Sequence, residues 1–484
     1  MSTPTNNPRR IGVLLGPGLF VVMLAFGDIQ TVMSLAAWRA AAVALWMAVW
    51  WATEAVPLPV TALLPLVLFA PLDLATSRQA AAAYAHPTIF LFLGGFMMAL
   101  AIERWSLHRR IALAVLSRTG TDPDRLIGGF MLVSALLSMW MTNTSTTMML
   151  LPIALSVATV MRENLPDSSE SEQQRFAIGL LLGVAFAASI GGLSTLIGTP
   201  PNALLVAYLA EQHSLDISFA RWMLIGIPVT ALLLPLAWWL LTRRLFPVTF
   251  RTTPAVAEHL DELRAAQGAM STAERRIAVL FGLMVASWLL RRPLQAWLGL
   301  PGLNDTMIAI AAAIALFIVP SGDNRQPRLM TWQLTERLPW GVLVLFGGGL
   351  SLAAVVDRSG LAQWLGESLV PLNALGIGVL ILAAVAMTIF LTEFTSNLAT
   401  TATLLPVMGA IALQADLAPL LLTVPVTIAA SCAFMLPVAT APNAIVFSTG
   451  TIRIGDMVRA GVWLNLIAVV LIWLIGLYAA PALL

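Results

Sequence analysis

The chain has 484 residues, 59% of them hydrophobic and only 10% charged, against roughly 25% charged in soluble domains. That balance excludes a water-soluble globular protein, and a net charge of +2 leaves no electrostatic footprint for nucleic acid. All 26 basic residues are arginine, which removes lysine Schiff-base and phosphate-loop chemistry; a single Cys432 and four scattered histidines (His86, His108, His213, His259) argue against a disulfide and zinc catalysis.

Apolar stretches approaching the ~20 residues that cross a ~30 Å hydrocarbon core recur from Ile11 onward, so the chain reads as an all-α polytopic membrane protein. A β-barrel does not fit, because its strands alternate over only about 10 residues. Arg9 and Arg10 followed by apolar 11–26 resemble the start of a signal peptide, but no clear small-x-small site follows, and the segment is read as a retained first helix. Eleven spans are predicted near 11–27, 37–53, 57–71, 87–102, 176–210, 222–241, 277–291, 303–319, 340–356, 418–452 and 461–482. With the N-terminus in the cytoplasm and the C-terminus outside, twenty arginines fall inside and six outside (Arg39, Arg78, Arg221, Arg291, Arg292, Arg358). The positive-inside rule supports that orientation, in a bacterial inner membrane.

Two segments do not fit as spans. Residues 126–161 form a 36-residue run without a charge, too long for one crossing and too short for two, with the polar cluster "TNTSTT" at its centre. A re-entrant hairpin resolves this: each arm of about 16 residues reaches ~24 Å, and its polar tip is tolerable only against protein or a wet cavity. Segment 371–415 repeats the pattern around "TEFTSNLATT". An offset of 254 residues carries "FLGGFMMALAIERWSL" onto "FGGGLSLAAVVDRSGL", Asn143 onto Asn397, and Pro152 onto Pro406. Five spans separate the copies, so they face opposite sides as an inverted-topology repeat, an arrangement common in secondary transporters.

Each hairpin precedes a long apolar stretch broken by proline, at "GTPPNA" (198–203) and "ATAPNA" (439–444). Four breaks in two symmetric pairs place half-helix ends near the membrane midplane. Helix N-termini suit anions; carbonyl ends, hydroxyls and amide oxygens suit a hard cation such as Na⁺.

These motifs resemble the divalent anion:Na⁺ symporter family, also called the INDY or solute carrier 13 family, along nearly the whole chain. Its paired Ser-Asn-Thr tips correspond to "TNT" at 142–144 and "SNL" at 396–398. The resemblance implies a homodimer of eleven spans plus two hairpins, with a scaffold and a transport domain moving as an elevator. The scaffold would take 1–125 and 277–370, and the transport domain 126–212 and 371–456; 213–276 would link the halves and 457–484 form the last span. It further implies Na⁺ as coupling ion, a first Na⁺ site at Ser138, Thr142, Asn143 and the backbone of Gly198, and a second at Thr392, Thr395, Asn397 and the backbone of Ala439. The anion would touch Asn143, Thr144, Thr199, Asn397 and Thr440. Thr142 in place of Ser keeps the hydroxyl, whereas Leu398 in place of Thr loses one. No basic side chain stands beside either tip, which favours Na⁺ symport of C4-dicarboxylates (succinate, malate, fumarate) over obligate exchange; citrate and sulfate remain alternative cargoes.

Other polar residues have plainer readings. Glu393 beside the second tip is expected to be a structural acid rather than a proton carrier. Glu103-Arg104 and Asp357-Arg358 are expected to be local ion pairs, and 243–276 a solvated amphipathic linker. Trp46, Trp50, Trp51, Trp238 and Trp239 suit interfaces or scaffold packing. Paired membrane aspartates, a Ser with a membrane His, and HExxH are all missing from the sequence, so an intramembrane enzyme is disfavoured; opposed repeats argue against a channel.

Overall fold

The computed structural model describes residues 7–120, 122–164, 169–249, 254–369 and 376–478. Every regular element among them is helical, and the one bridge recorded outside strands joins Pro320 to Arg328. The chain opens with α1 (Asn7–Ala25) and α2 (Leu35–Thr53), which pack through Phe20, Trp46 and Trp50. The expected span 57–71 is instead two short helices, α3 (Leu58–Thr61) and α4 (Leu64–Leu68). Pro59 and Pro65 sit in the first turn of each, where a missing amide costs nothing, and each interrupts what precedes it. Next come α5 (Ser77–Ala82), α6 (Pro87–Arg104) and α7 (Leu107–Thr119), the last not anticipated.

The first hairpin is α8 (Pro123–Ser138) and α9 (Asn143–Glu163); the first broken helix is α10 (Glu170–Gly192) and α11 (Pro200–His213). Then α12 (Phe219–Trp239) runs into a π-helical turn at 240–245, followed by α13 (Pro254–Ala265). In the second half, α14 (Thr272–Leu289) bends by 86° into α15 (Arg291–Leu298), and α16 (Asp305–Ile318) and α17 (Trp340–Arg358) precede the amphipathic α18 (Leu361–Leu369). The second hairpin is α19 (Ile377–Thr392) and α20 (Asn397–Gln414); the second broken helix is α21 (Leu420–Ala430) and α22 (Ala441–Phe447), and α23 (Ile454–Tyr478) ends the described chain. Among the described residues eight helices are long and apolar enough to cross a membrane, or nine with the bent pair. The remaining expected spans are shorter helices.

Each segment read as a hairpin is two helices joined by four residues, at 139–142 and 393–396. The tip helices start at Asn143 and Asn397, keeping the 254-residue register, and the broken helices resume at Pro200 and Ala441, keeping a register of 241. The arms cross-pair: α9 lies on α22 and α20 on α11, so each hairpin arm packs against the broken helix of the other half. An edge-on contact of Phe186 with Phe434, 5.2 Å between centroids, ties α10 to the second break.

Two further expectations need correction. Residues 243–276 are not simply solvated: α13 buries Val256 and Leu260 against α7 and α9, and His259 Nε2 lies 2.5 Å from Ser156 Oγ. Glu103 pairs with Arg337 rather than with its neighbour. Arg104 instead donates to Gln326 Oε1 at 2.7 and 3.1 Å, because a helical turn points adjacent side chains apart.

The α8–α10 contact is the tightest helix pair around the first break. A Cβ on Gly191 would lie 2.4 Å from both Cα and the carbonyl oxygen of Ala135, and neither backbone atom can swing away. Gly191→Ala is therefore expected to cost about 2–3 kcal/mol as overpacking, read as a lower melting temperature in detergent.

Candidate functional site

Each tip helix begins on an asparagine whose amide is held by the same kind of partner. Ser138 Oγ lies 2.5 Å from the Asn143 side-chain amide, and Thr392 Oγ1 donates to Asn397 Oδ1 at 2.9 Å; both hydroxyls lie five residues earlier, at the end of the entering arm. Thr147 and Thr401, one turn on, donate back to the carbonyls of Asn143 and Asn397 at 2.9 and 2.8 Å. The tips are two copies of one hydrogen-bonded turn.

The Asn143 amide atom that meets Ser138 also lies 3.1 Å from the Ala188 carbonyl oxygen and 3.3 Å from that of Gly198. As nitrogen it satisfies all three acceptors. As oxygen it accepts from Ser138 but meets both carbonyls without a donor, an arrangement of four oxygens that a cation would complete. In the second half Thr392 Oγ1 also lies 2.8 Å from the Ala430 carbonyl oxygen, so its single hydrogen serves one of two acceptors at a time. That carbonyl is free because Ala430 ends α21, leaving it without a partner in the next turn. Ser138, Asn143 and Gly198 thus come together as expected, as do Thr392 and Asn397. Thr142 caps α9 by accepting from Ser145 N at 3.2 Å, Thr395 turns to Leu391 O at 3.1 Å and Thr400 Oγ1 at 2.5 Å, and the amide of Ala439 donates to Leu436 O at 3.2 Å. Those four bonds are local, and none of them uses the Ala439 carbonyl.

The breaks are organised by a second pair of asparagines. Asn202 Nδ2 donates to the carbonyls of Gly192 and Thr195 at 3.2 and 2.8 Å, and Asn443 Nδ2 to those of Ala433 and Leu436 at 3.2 and 3.1 Å, the same register apart. The asparagine in each Pro-Asn motif therefore folds the unwound segment back on itself. Thr199 and Thr440 are the N-caps of α11 and α22; Thr440 accepts from Asn443 N at 3.3 Å, whereas Thr199 makes no capping bond and is buried.

Four helices start at these breaks, but their ends differ chemically. Pro200 and Pro201 remove the first two amides of α11, and Pro442 removes one from α22. The hairpin helices keep theirs: among the described residues no hydrogen bond uses the amides of Asn143, Thr144, Asn397, Leu398 or Ala399. Thr144 is half-buried, whereas the Leu398 side chain lies in the apolar core, so the second tip presents a backbone donor where the first presents a hydroxyl as well. Free amides at a helix start, with its partial positive charge, favour an anion.

Glu393 follows Thr392 directly and is buried. Its carboxylate accepts from the consecutive amides of Phe434, Met435 and Leu436 at 2.7, 2.9 and 3.1 Å, and from Asn465 Nδ2 on α23 at 2.7 Å. Hydrogen bonds from four N–H groups favour the charged form over the neutral one. Gly461 lets α23 approach, since a Cβ there would lie 2.3 Å from the Phe434 carbonyl. The position equivalent to Glu393 in the first half is Met139, whose carbonyl accepts from Thr195 Oγ1.

The family described as the sodium:sulfate symporter transmembrane region matches residues 14–483. The chain belongs to that family. It is 38% identical over 479 residues to the sodium-dependent dicarboxylate transporter SdcS of Staphylococcus saprophyticus, covering 98% of this chain and 92% of the relative. It is also 38% identical over 488 residues to SdcS of Staphylococcus aureus strain USA300, covering 99% and 92%. Among solved structures, the YdaH transporter of Alcanivorax borkumensis superposes with a TM-score of 0.56 over 98% of each chain; at 13% identity that likeness concerns the fold alone. Family membership makes this chain an integral membrane transporter and not an enzyme.

Two features escaped sequence reasoning. The Ala188 and Ala430 carbonyls carry no side-chain signal; only the approach of Asn143 reveals the first and only the end of α21 the second. The asparagines of the Pro-Asn motifs were visible, but their role as loop organisers needed the geometry.

Proposed function

We propose that this transporter couples Na⁺ to the uptake of C4-dicarboxylates such as succinate, malate and fumarate. The observation that carries the reading is the duplicated oxygen cluster at Asn143 and Asn397, with uncommitted helix-start amides beside each. Neutral oxygens from hydroxyl, amide and carbonyl suit a hard monovalent cation. Ser138, Thr142, Asn143 and Gly198 form the first Na⁺ site, and Thr392, Thr395, Asn397 and Ala439 the second. The dianion lies between the tips, touching Asn143, Thr144, Thr199, Asn397 and Thr440, with one carboxylate drawn to each helix start. The Leu398 amide is a donor whatever its side chain, so recognition survives the missing hydroxyl. Relatives named as sodium-dependent dicarboxylate transporters support this cargo over citrate or sulfate.

The chain works as an eleven-span homodimer by an elevator movement, its transport domain 126–212 and 371–456 sliding against a scaffold of 1–125 and 277–370. Cross-pairing of α9 with α22 and α20 with α11 supports one rigid transport unit, and the packing of α23 on α19 and α21 supports the last span, 457–484, moving with it. The cytoplasmic N-terminus and inner-membrane location rest on the arginine distribution.

Succinate uptake into proteoliposomes containing the purified full chain is expected to collapse when external Na⁺ is replaced by choline. Uptake that persists unchanged overturns Na⁺ coupling. Sulfate or citrate competing as well as fumarate would redirect the cargo.

A further inference from the structure

The two halves share a triplet that none of the motifs above includes. Residues 187–189 on α10 and 429–431 at the end of α21 both read Ala-Ala-Ser. In each, the second alanine supplies the carbonyl described above, 3.1 Å from the Asn143 amide in one half and 2.8 Å from Thr392 Oγ1 in the other. In each, the serine is only 1% exposed and its hydroxyl has no hydrogen-bond partner.

Hydroxyls in or at the end of a membrane helix ordinarily bond back to the carbonyl one turn earlier. Thr388 and Thr427 do so in the same half, to Ala384 O at 2.7 Å and Thr423 O at 2.8 Å. Ser189 and Ser431 do not, and a buried hydroxyl without a partner is destabilising. Their surroundings say what they await. Phe186, Ser189 and Gly192 lie three apart along α10, hence on one side of the helix. Phe186 meets Phe434 of the second break, and a Cβ on Gly192 would lie 2.7 Å from Asn143 Oδ1. Ser189 is therefore within one helical turn of both contacts along α10. Ser431 is the first residue past α21, adjoining the Ala430 carbonyl.

We propose that the hydroxyls of Ser189 and Ser431 are Na⁺ ligands, each acting with the carbonyl of the alanine before it to complete the cation cluster of its half. The inference rests on the Na⁺-coupled reading above and adds two side-chain ligands to it. The two serines are one residue out of the 241-residue register, Ser189 inside α10 and Ser431 just past α21, yet each is a buried hydroxyl next to a carbonyl of its cluster, and each gains a partner when a cation arrives.

The test uses the purified full chain with Ser189→Ala, Ser189→Cys, Ser431→Ala and Ser431→Cys. Cysteine keeps most of the volume but offers a soft sulfur that Na⁺ binds poorly. Two quantities are read: the rise of melting temperature with NaCl against choline chloride, and the Na⁺ concentration for half-maximal succinate uptake. Each variant is expected to need about tenfold or more Na⁺ for half-maximal uptake and to lose most of its Na⁺-induced thermal shift. Its melting temperature in choline should be equal to or above that of the parent. A parent protein with no Na⁺-induced shift overturns the underlying reading. A parent that shifts, with variants that titrate as it does, overturns this inference and leaves the serines as packing residues; so does a loss of stability in choline with the Na⁺ titration unchanged.

Discussion

Asn143→Ala and Asn397→Ala should each lower Na⁺-driven uptake by about 100-fold or more while leaving the protein folded and its oligomeric state unaltered. The magnitude follows from what each amide holds. Asn143 meets Ser138 and the carbonyls of Ala188 and Gly198, so alanine strands several buried oxygens at about 1–3 kcal/mol each and removes a proposed ligand shared by cation and anion. Every 1.4 kcal/mol is a factor of ten, so a loss near 3 kcal/mol in the loaded state already reaches ~100-fold. Asn397 has fewer contacts, to Thr392 Oγ1 and through its carbonyl to Thr401, and its loss should fall on Na⁺ affinity more than on folding. Uptake of radiolabelled succinate, with size-exclusion elution as the control for assembly, checks both. Near-normal uptake by both variants would sink the site assignment.

The halves of the fold that sequence could reveal are those written in side-chain type. An uncharged run too long for one span and too short for two gave both hairpins, and Asn143 and Asn397 fell at the first positions of their helices as the repeat required. Prolines announced the broken helices. The same residue misled at 57–71, where Pro59 and Pro65 start new helices that hydropathy alone joined into one span. The resemblance named the backbone of Gly198 and Ala439, but the carbonyls of Ala188 and Ala430 were out of reach, because each looks in sequence like any other alanine. The linker was misread because α13 has little apolar surface, two buried residues, Val256 and Leu260, being enough to seat it on α7 and α9. Leu398 looked like a lost donor only because sequence displays side chains, while the amide beside it is unaffected.

Glu393→Gln separates the two roles open to a buried acid. The carboxylate holds three consecutive amides of the second break and Asn465 of α23, joining hairpin, broken helix and last span. Glutamine replaces one acceptor oxygen with an NH₂ group that must face donors, and it removes the charge that strengthens the remaining bonds. A loss of about 3 kcal/mol or more is expected, because hydrogen bonds to a charged group are each worth ~1.5–3 kcal/mol. Melting temperature should fall in Na⁺ and in choline alike, since the carboxylate acts on the loop whether or not a cation is bound. Glu393→Asp keeps the charge but retracts it by one methylene, and should recover part of the stability. A proton carrier behaves in the opposite way: glutamine imitates its neutral form, so the fold would tolerate it and uptake would lose its pH dependence. A glutamine variant as stable as the parent, with uptake indifferent to pH, would therefore overturn the structural role. The first half has Met139 at this position and ties its break with Thr195 instead, so the corresponding change there leaves no buried donors stranded. Replacing Met139 with leucine should leave stability nearly unchanged, and that contrast locates the acid's work in the second half alone.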